Sequence, residues 1–312
     1  MENLKALVST IKTVVMVVNN LTESRRIFED GLGLTCVGDT ETSTIEIGEL
    51  WGIESGNFRV ARFARDGEDF GCLDLVENVD ANKRIRDENR SFDFGIMTLN
   101  FRTNDIVKAV EKLLEFGAVA VSEILEYNAG KPMKELMLKT SSGERLTILQ
   151  IGEGDKNLPV FNESIATVGM VIPKMSEAKS FYENSLGLNT AIAFQAKGSP
   201  FDALLGVTQL DKLDFATLTA DGNWTGKVEL LELEVAGETP INSNELTDLL
   251  HTGYTFVTFL TKDIFAVAEN CKNIGAEIIV EPKKFNRPFH IGKRAMIVRA
   301  PGGEYLEIIE GD

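Results

Sequence analysis

Residues 24–34 read Ser-Arg-Arg-Ile-Phe-Glu-Asp-Gly-Leu-Gly-Leu, and residues 178–188 read Ala-Lys-Ser-Phe-Tyr-Glu-Asn-Ser-Leu-Gly-Leu, 154 positions later. At the same spacing upstream, the apolar run Thr13–Val18 matches Thr167–Ile172. Further on, Asp105-Ile106 with Phe116-Gly117-Ala118 matches Asp263-Ile264 with Ile274-Gly275-Ala276, 158 positions apart. Near the ends, Gly143-Glu144-Arg145-Leu146 matches Gly303-Glu304-Tyr305-Leu306 at 160. The order is kept and the spacing grows only in small steps, as loop insertions produce, so the chain is a tandem duplication. The halves are 1–152 and 158–312, joined through the Gly- and charge-rich stretch 152–157.

Each half divides again. In the first, apolar strands at about 11–18 and 95–103 each run into a helix, at about 21–31 and 105–116. Asn20 and Glu23 have the spacing of a helix start, and Gly33 and Gly117 stand where a left-handed helix end is wanted. Strands follow at about 33–39, 57–65 and 70–77, then at 119–123, 134–139 and 144–150. Thr140–Gly143 and Ala300–Gly303 turn the last hairpins. Each half therefore reads βαβββ twice. The expected class is α+β, with four tandem βαβββ units and curved mixed sheets that form cavities.

Composition narrows the function. The 312 residues are 43% hydrophobic with a formal charge of −16. Such a polyanion gains nothing from phosphate backbones, so no nucleic-acid partner is expected. No apolar run approaches the roughly 18 residues of a membrane span. The opening Met1-Glu2-Asn3-Leu4-Lys5 does not have the form of a secretory leader. Cys36, Cys72 and Cys271 are odd in number and far apart, as in a reduced, cytoplasmic protein. No P-loop, GxGxxG helix start or GxSxG motif is present. The expected partner is a small molecule, and the protein a monomer or homodimer.

The segments ending Phe28–Leu34 and Phe181–Leu188, with the terminal hairpins Lys139–Thr147 and Arg299–Glu307, resemble the vicinal oxygen chelate superfamily of glyoxalases, bleomycin-resistance proteins and extradiol dioxygenases. The resemblance spans essentially the whole chain and implies paired βαβββ units, each pair curling a sheet around a cavity. It fixes no single chemistry. It implies a divalent ion held by a His on the first strand, a His on the first strand of the second unit and a Glu on the last strand. At those points the first half offers Thr13, Thr98 and Thr147, and the second offers Thr167, Phe256 and Glu307. The chain has two histidines, His251 and His290, neither on a ligand strand. No metal site and no cofactor are expected.

Strand alternation identifies what else faces inward. Pairing Arg299 with Glu304 sets Met296 opposite Glu307 and turns Arg294 inward. The same construction sets Leu136 opposite Thr147 and turns Lys134 inward. Phe256, Thr258 and Leu260 share a face. The expected site is in the second half: Glu307 and His290 as proton carriers, and Arg294, Thr167, Phe256, Thr258 and Met296 against the substrate. The reading is a metal-independent isomerase or lyase moving a proton on a small organic or aromatic-derived acid. Two alternatives stay open, a non-catalytic binding or resistance protein and a metal-dependent dioxygenase or glyoxalase with an unusual site.

Overall fold

A computed structural model describes residues 6–311 apart from 55, 82, 88, 129, 156, 221 and 247. The first unit comprises β1 (Val8–Val18), α1 (Leu21–Arg26) with a π-turn over Ile27–Gly31, β2 (Thr35–Ser43), α2 (Thr44–Trp51), β3 (Asn57–Ala64) and β4 (Cys72–Glu77). A connector carrying β5 (Lys83–Arg84) leads to the second: β6 (Gly95–Arg102), α3 (Ile106–Glu115), β7 (Val119–Ala120), β8 (Leu125–Asn128), β9 (Pro132–Lys139) and β10 (Arg145–Ile151). The third comprises β11 (Thr167–Val171), α4 (Met175–Asn184), β12 (Asn189–Ala196), α5 (Phe201–Leu205), β13 (Leu210–Thr219) and β14 (Lys227–Val235). The fourth comprises β15 (His251–Thr261), α6 (Ile264–Asn273), β16 (Glu277–Arg287), β17 (His290–Arg299) and β18 (Tyr305–Glu310).

The expected helix signals are in place. Asn20 caps α1 by accepting from the Glu23 N–H at 3.0 Å. Asp105 and Asp263 cap α3 and α6 in the same way, and an Asp or Asn at this point satisfies an amide the helix itself leaves unpaired. Gly33 (φ +70°) and Gly187 (φ +72°) adopt the left-handed conformation that ends the repeated helix. The helix α2 carries no counterpart in the sequence reading.

Strand pairing crosses the halves of the chain. One sheet runs β16-β17-β18-β15-β1-β4-β3-β2, and the other runs β12-β13-β14-β11-β6-β10-β9-β7. Units one and four thus share the first sheet, and units two and three the second. At each centre the leading strands run antiparallel, β1 with β15 and β6 with β11. One face of each sheet packs with α1, α3, α4 and α6 into a common core that includes Phe28, Leu113, Phe181, Val257 and Phe259. Burying each such side chain contributes about 1.5–3 kcal/mol. The opposite, concave faces carry separate clusters, one around Trp51 and Phe256, the other around Met97, Met137 and Leu231.

The terminal hairpins differ from the expected register by one residue. Arg299 pairs with Tyr305 and Lys139 with Arg145. Five residues make each connection, and Gly143 and Gly303 take φ of 94° within it. A one-residue slip turns every side chain of the strand to the other face. Ile297, not Met296, therefore opposes Glu307, and Met137, not Leu136, opposes Thr147.

Because both sheets draw strands from both halves, residues 1–152 and 158–312 expressed separately should not give folded monomers. Each should aggregate or self-associate, and mixing should restore a single cooperative melt. A half that sediments as a folded monomer would contradict this pairing.

Candidate functional site

The concave face of the first sheet holds a line of buried charges. Glu307 on β18 is fully buried. It accepts from Trp51 Nε1 at 3.0 Å, Thr258 Oγ1 at 2.6 Å and Arg287 Nε at 3.1 Å. Arg287 Nη1 donates to Asp74 at 2.8 Å, and Asp74 accepts again from Arg62 Nε at 2.7 Å and Nη2 at 2.8 Å. Burial alone would raise the Glu307 carboxyl. The Arg287 charge and the donors from Arg287, Thr258 and Trp51 outweigh it and hold the group below its usual range. Asp74 is likewise held well below the carboxylate range by its two arginines, against burial.

The turn after β16 closes over this network. Phe289 has φ of 65°, lies over the Arg62 guanidinium at 4.5 Å, and leaves no room for a side chain at Gly38 of β2. His290 Nε2 is 3.4 Å from Arg62 Nη1. Burial first, then the charges of Arg287 and Arg62, push His290 down to about 3, so its ring is neutral near pH 7 rather than a ready acid. Thr258 and Phe256 lie on this face as expected, with Phe256 stacked on Trp51 at 6.3 Å.

Three expected members of the site lie elsewhere. Arg294 turns outward to Glu310 at 3.2 Å and over Phe265, and Met296 is buried in the common core, both because of the hairpin register. Lys134 is half-buried and paired with Glu126 at 2.8 Å for the same reason. Thr167 belongs to the second sheet, because the sheets pair across the halves of the chain. His251 bonds Asp248 at 2.7 Å. Cys72 and Cys271 are buried, with their thiols pushed up to about 11 by that burial.

The concave face of the second sheet is more open. Glu229 on β14 is half-buried, and Asn100 Nδ2 donates to it at 3.0 Å and to Thr167 Oγ1 at 2.7 Å. Burial first, then the charge of Glu135, push Glu229 up to about 7 against Asn100, Lys227 and Thr167. Glu135 on β9 accepts from the Tyr127 hydroxyl at 2.5 Å, and burial pushes it up to about 6. Lys227, two residues before Glu229 on the same strand, is brought down to about 8 by burial and by Arg102. A ring group closes one side: Phe194 stacks on Phe215 at 4.5 Å and meets Phe201 at 6.0 Å, with Tyr127 edge-on to Phe201 at 5.6 Å. Asn100 Oδ1 and the Thr217 hydroxyl are buried here without a hydrogen-bond partner, which a bound molecule would satisfy. Gly169 makes the approach possible, since a Cβ there would lie 2.7 Å from Thr98 and 3.2 Å from Glu229.

Sheet register shows which residues are equivalent. Asp74, Glu229, Thr147 and Glu307 each lie on the last strand of a unit, opposite Val15, Gly169, Asn100 and Thr258 of its first strand. Asp74 and Glu229 were legible in the repeat, 155 positions apart, in Leu73-Asp74-Leu75-Val76 and Val228-Glu229-Leu230-Leu231. Trp51, Arg62 and Arg287 carry no such signal, because loop geometry brings them in.

The resemblance to the vicinal oxygen chelate superfamily is borne out over part of the chain. The model of the Glyoxalase/Bleomycin resistance protein/Dioxygenase superfamily matches residues 10–131. Among solved structures, glyoxalase I from Zea mays is 17% identical, with 96% of this chain and 92% of that chain covered at a TM-score of 0.68. A proposed dioxygenase from Bacillus subtilis is 14% identical, with 98% and 86% covered at 0.63. At these identities the likeness is one of fold. No curated protein sequence matches the chain. Among the described residues no group of three or more His, Cys, Asp or Glu is placed to hold a metal ion. In the first sheet the Arg287 guanidinium lies between the Asp74 and Glu307 carboxylates, and in the second Glu229 stands beside Thr167 and Asn100. Neither donor set fits the superfamily's divalent ion. Among the described residues no helix is long and apolar enough to cross a membrane.

Arg287→Met should cost about 3–5 kcal/mol near pH 7, because it leaves two buried carboxylates facing each other. Asp74 and Glu307 have depressed pKa values, so their contribution is present above the unfolded carboxylate range near 4 and is lost as pH falls below it. The variant's deficit in thermal denaturation should therefore be largest near neutrality and shrink below about pH 4. A deficit that does not change with pH would contradict the assignment.

Proposed function

We propose that the protein is a metal-independent isomerase or lyase that moves a proton on a small organic or aromatic-derived acid, and that it works on the concave face of the second sheet. The proposal keeps 1–152 and 158–312 as the duplicated modules, and the second sheet takes one unit from each. The carrying observation is Glu229: a half-buried carboxylate at about 7, beside an aromatic cleft with unpartnered polar groups. A base with this affinity divides its population between proton acceptor and donor at neutral pH.

Roles follow from placement. Glu229 takes the proton from a carbon next to a carbonyl or carboxylate. Lys227 faces the negative charge that develops on oxygen. Glu135 returns a proton at the product carbon, and Tyr127, its hydroxyl pushed far above its usual range by burial and by Glu135, stays a neutral donor. Phe194, Phe201 and Phe215 take the apolar part of the substrate. Glu307, sealed beneath three donors, is the structural counterpart of Glu229. The aromatic group also favours a second reading, a cleft that only holds its ligand.

The test is proton exchange in D2O, followed by proton NMR over a panel of small 2-oxo and 3-oxo carboxylic acids. The wild type should exchange the acidic C–H of at least one, with a rate that rises through about pH 7. Glu229→Gln should slow it by about 10²-fold or more. Exchange that is unchanged in that variant would sink the assignment, and saturable binding without exchange would favour the holding protein.

Stability gives a separate readout. Glu229 has a raised pKa, so it costs the fold stability as pH climbs from about 4 to about 7. Glu229→Gln should match the wild type at pH 5 and melt higher at pH 8. A variant that melts lower at pH 8 would contradict the burial described for this group.

A further inference from the structure

Away from both concave faces, a small surface cleft opens where the two sheets meet. Its walls come from the connector Arg84–Asp87, Met97 of β6, the hairpin end Gly143–Arg145 and Thr252–Tyr254 of β15. Three arginines, Arg84, Arg86 and Arg145, line it against two acids, Asp87 and Glu144, in a chain with 48 acidic and 32 basic residues. Composition alone opposes such a gathering.

Arg86 decides what the cleft is for. Its Nη2 reaches the carbonyls of Arg90 at 3.4 Å and Ser91 at 3.2 Å, while Nη1 is buried with no hydrogen-bond partner. Burial first, then repulsion from Arg145, bring this guanidinium down to about 9, with Asp93 pulling the other way. Enclosing a cation next to a second cation is costly unless an anion joins them. Arg145 is itself buried, with Nη1 3.3 Å from Met137 Sδ, and Arg84 is exposed at the mouth. Arg84 and Arg145 have interactions of their own, so the unfilled donor is that of Arg86. Planar guanidinium forks match the paired oxygens of phosphate and carboxylate groups.

We propose that this cleft binds a small oxyanion, a phosphate or carboxylate group, through Arg86 with Arg84 and Arg145 around it. The site is distinct from Glu229 and does not depend on the reading given for that residue. Met97 and Met137, which touch the cleft or its Arg145, also floor the concave face of the second sheet. A bound anion therefore ties the connector to β15 and stiffens that floor.

The test uses the full chain with millimolar sodium phosphate, or sodium succinate, each against sodium chloride at equal ionic strength, read by thermal shift and calorimetry. One of the two oxyanions should raise the Tm by about 2 °C or more beyond chloride. Phosphate alone would assign a phosphate ligand, and succinate alone a carboxylate. Arg86→Gln should weaken that binding about tenfold or more. Arg84→Gln, at an exposed position, should fold normally and weaken it as well. Glu229→Gln should leave the shift intact. Equal shifts in both oxyanions and in chloride, or a shift retained in both arginine variants, would overturn the proposal.

Discussion

The Arg287 guanidinium lies between the carboxylates of Asp74 and Glu307, 2.8 Å from one and 3.1 Å from the other. Asp74 comes from the first unit and Arg287 and Glu307 from the fourth, so the pairing joins the two ends of the chain across the centre of one sheet. Removing two carboxylates from water is tolerable only with a cation at this distance and donors on the remaining lone pairs. Trp51, Thr258 and Arg62 supply those donors. Once this set is formed, α2 is fixed over the face by Trp51, and the turn carrying Phe289 and His290 is fixed against β2. The first sheet's concave side is then full.

That filling leaves the two sheets with different properties despite a shared frame. In the first, an acid is surrounded by donors and cations and stays ionised. In the second, Glu229 has one amide and one hydroxyl beside it, another carboxylate nearby and a lysine whose own charge is weakened by burial. The same strand position therefore carries a fixed anion on one side of the molecule and a titrating group on the other. Duplication explains this outcome physically. One cavity is filled by a buried ionic brace, and the other stays open around a titrating acid.

Much of the fold was legible in the sequence. The repeated Leu-Gly-Leu endings, the Asn20 cap and the apolar leading strands give four βαβββ units directly. Strand partners were not, because a repeat says which segments are alike and not which lie side by side. That choice moved Thr167 away from Glu307. Register was also hidden: Gly143 and Gly303 let each hairpin take one more residue than a four-residue turn, and the slip moved Arg294, Met296 and Lys134 off the expected face. Glu307 itself was found correctly as an inward acid. Its partners were not, since Trp51 and Arg287 arrive from a helix and a strand end with no periodic signature. Glu229 carried a signal in the repeat, as the counterpart of Asp74.

The central claim is that the acid free to exchange protons is Glu229 and not Glu307. Carbon-13 NMR titration of the glutamate carboxyls, with each resonance assigned through its Gln variant, tests it most directly. The account requires Glu229 to titrate at about 7 and Glu307 below the ordinary glutamate range. A Glu307 carboxyl that titrates near neutrality, with Glu229 at an ordinary value, would contradict it.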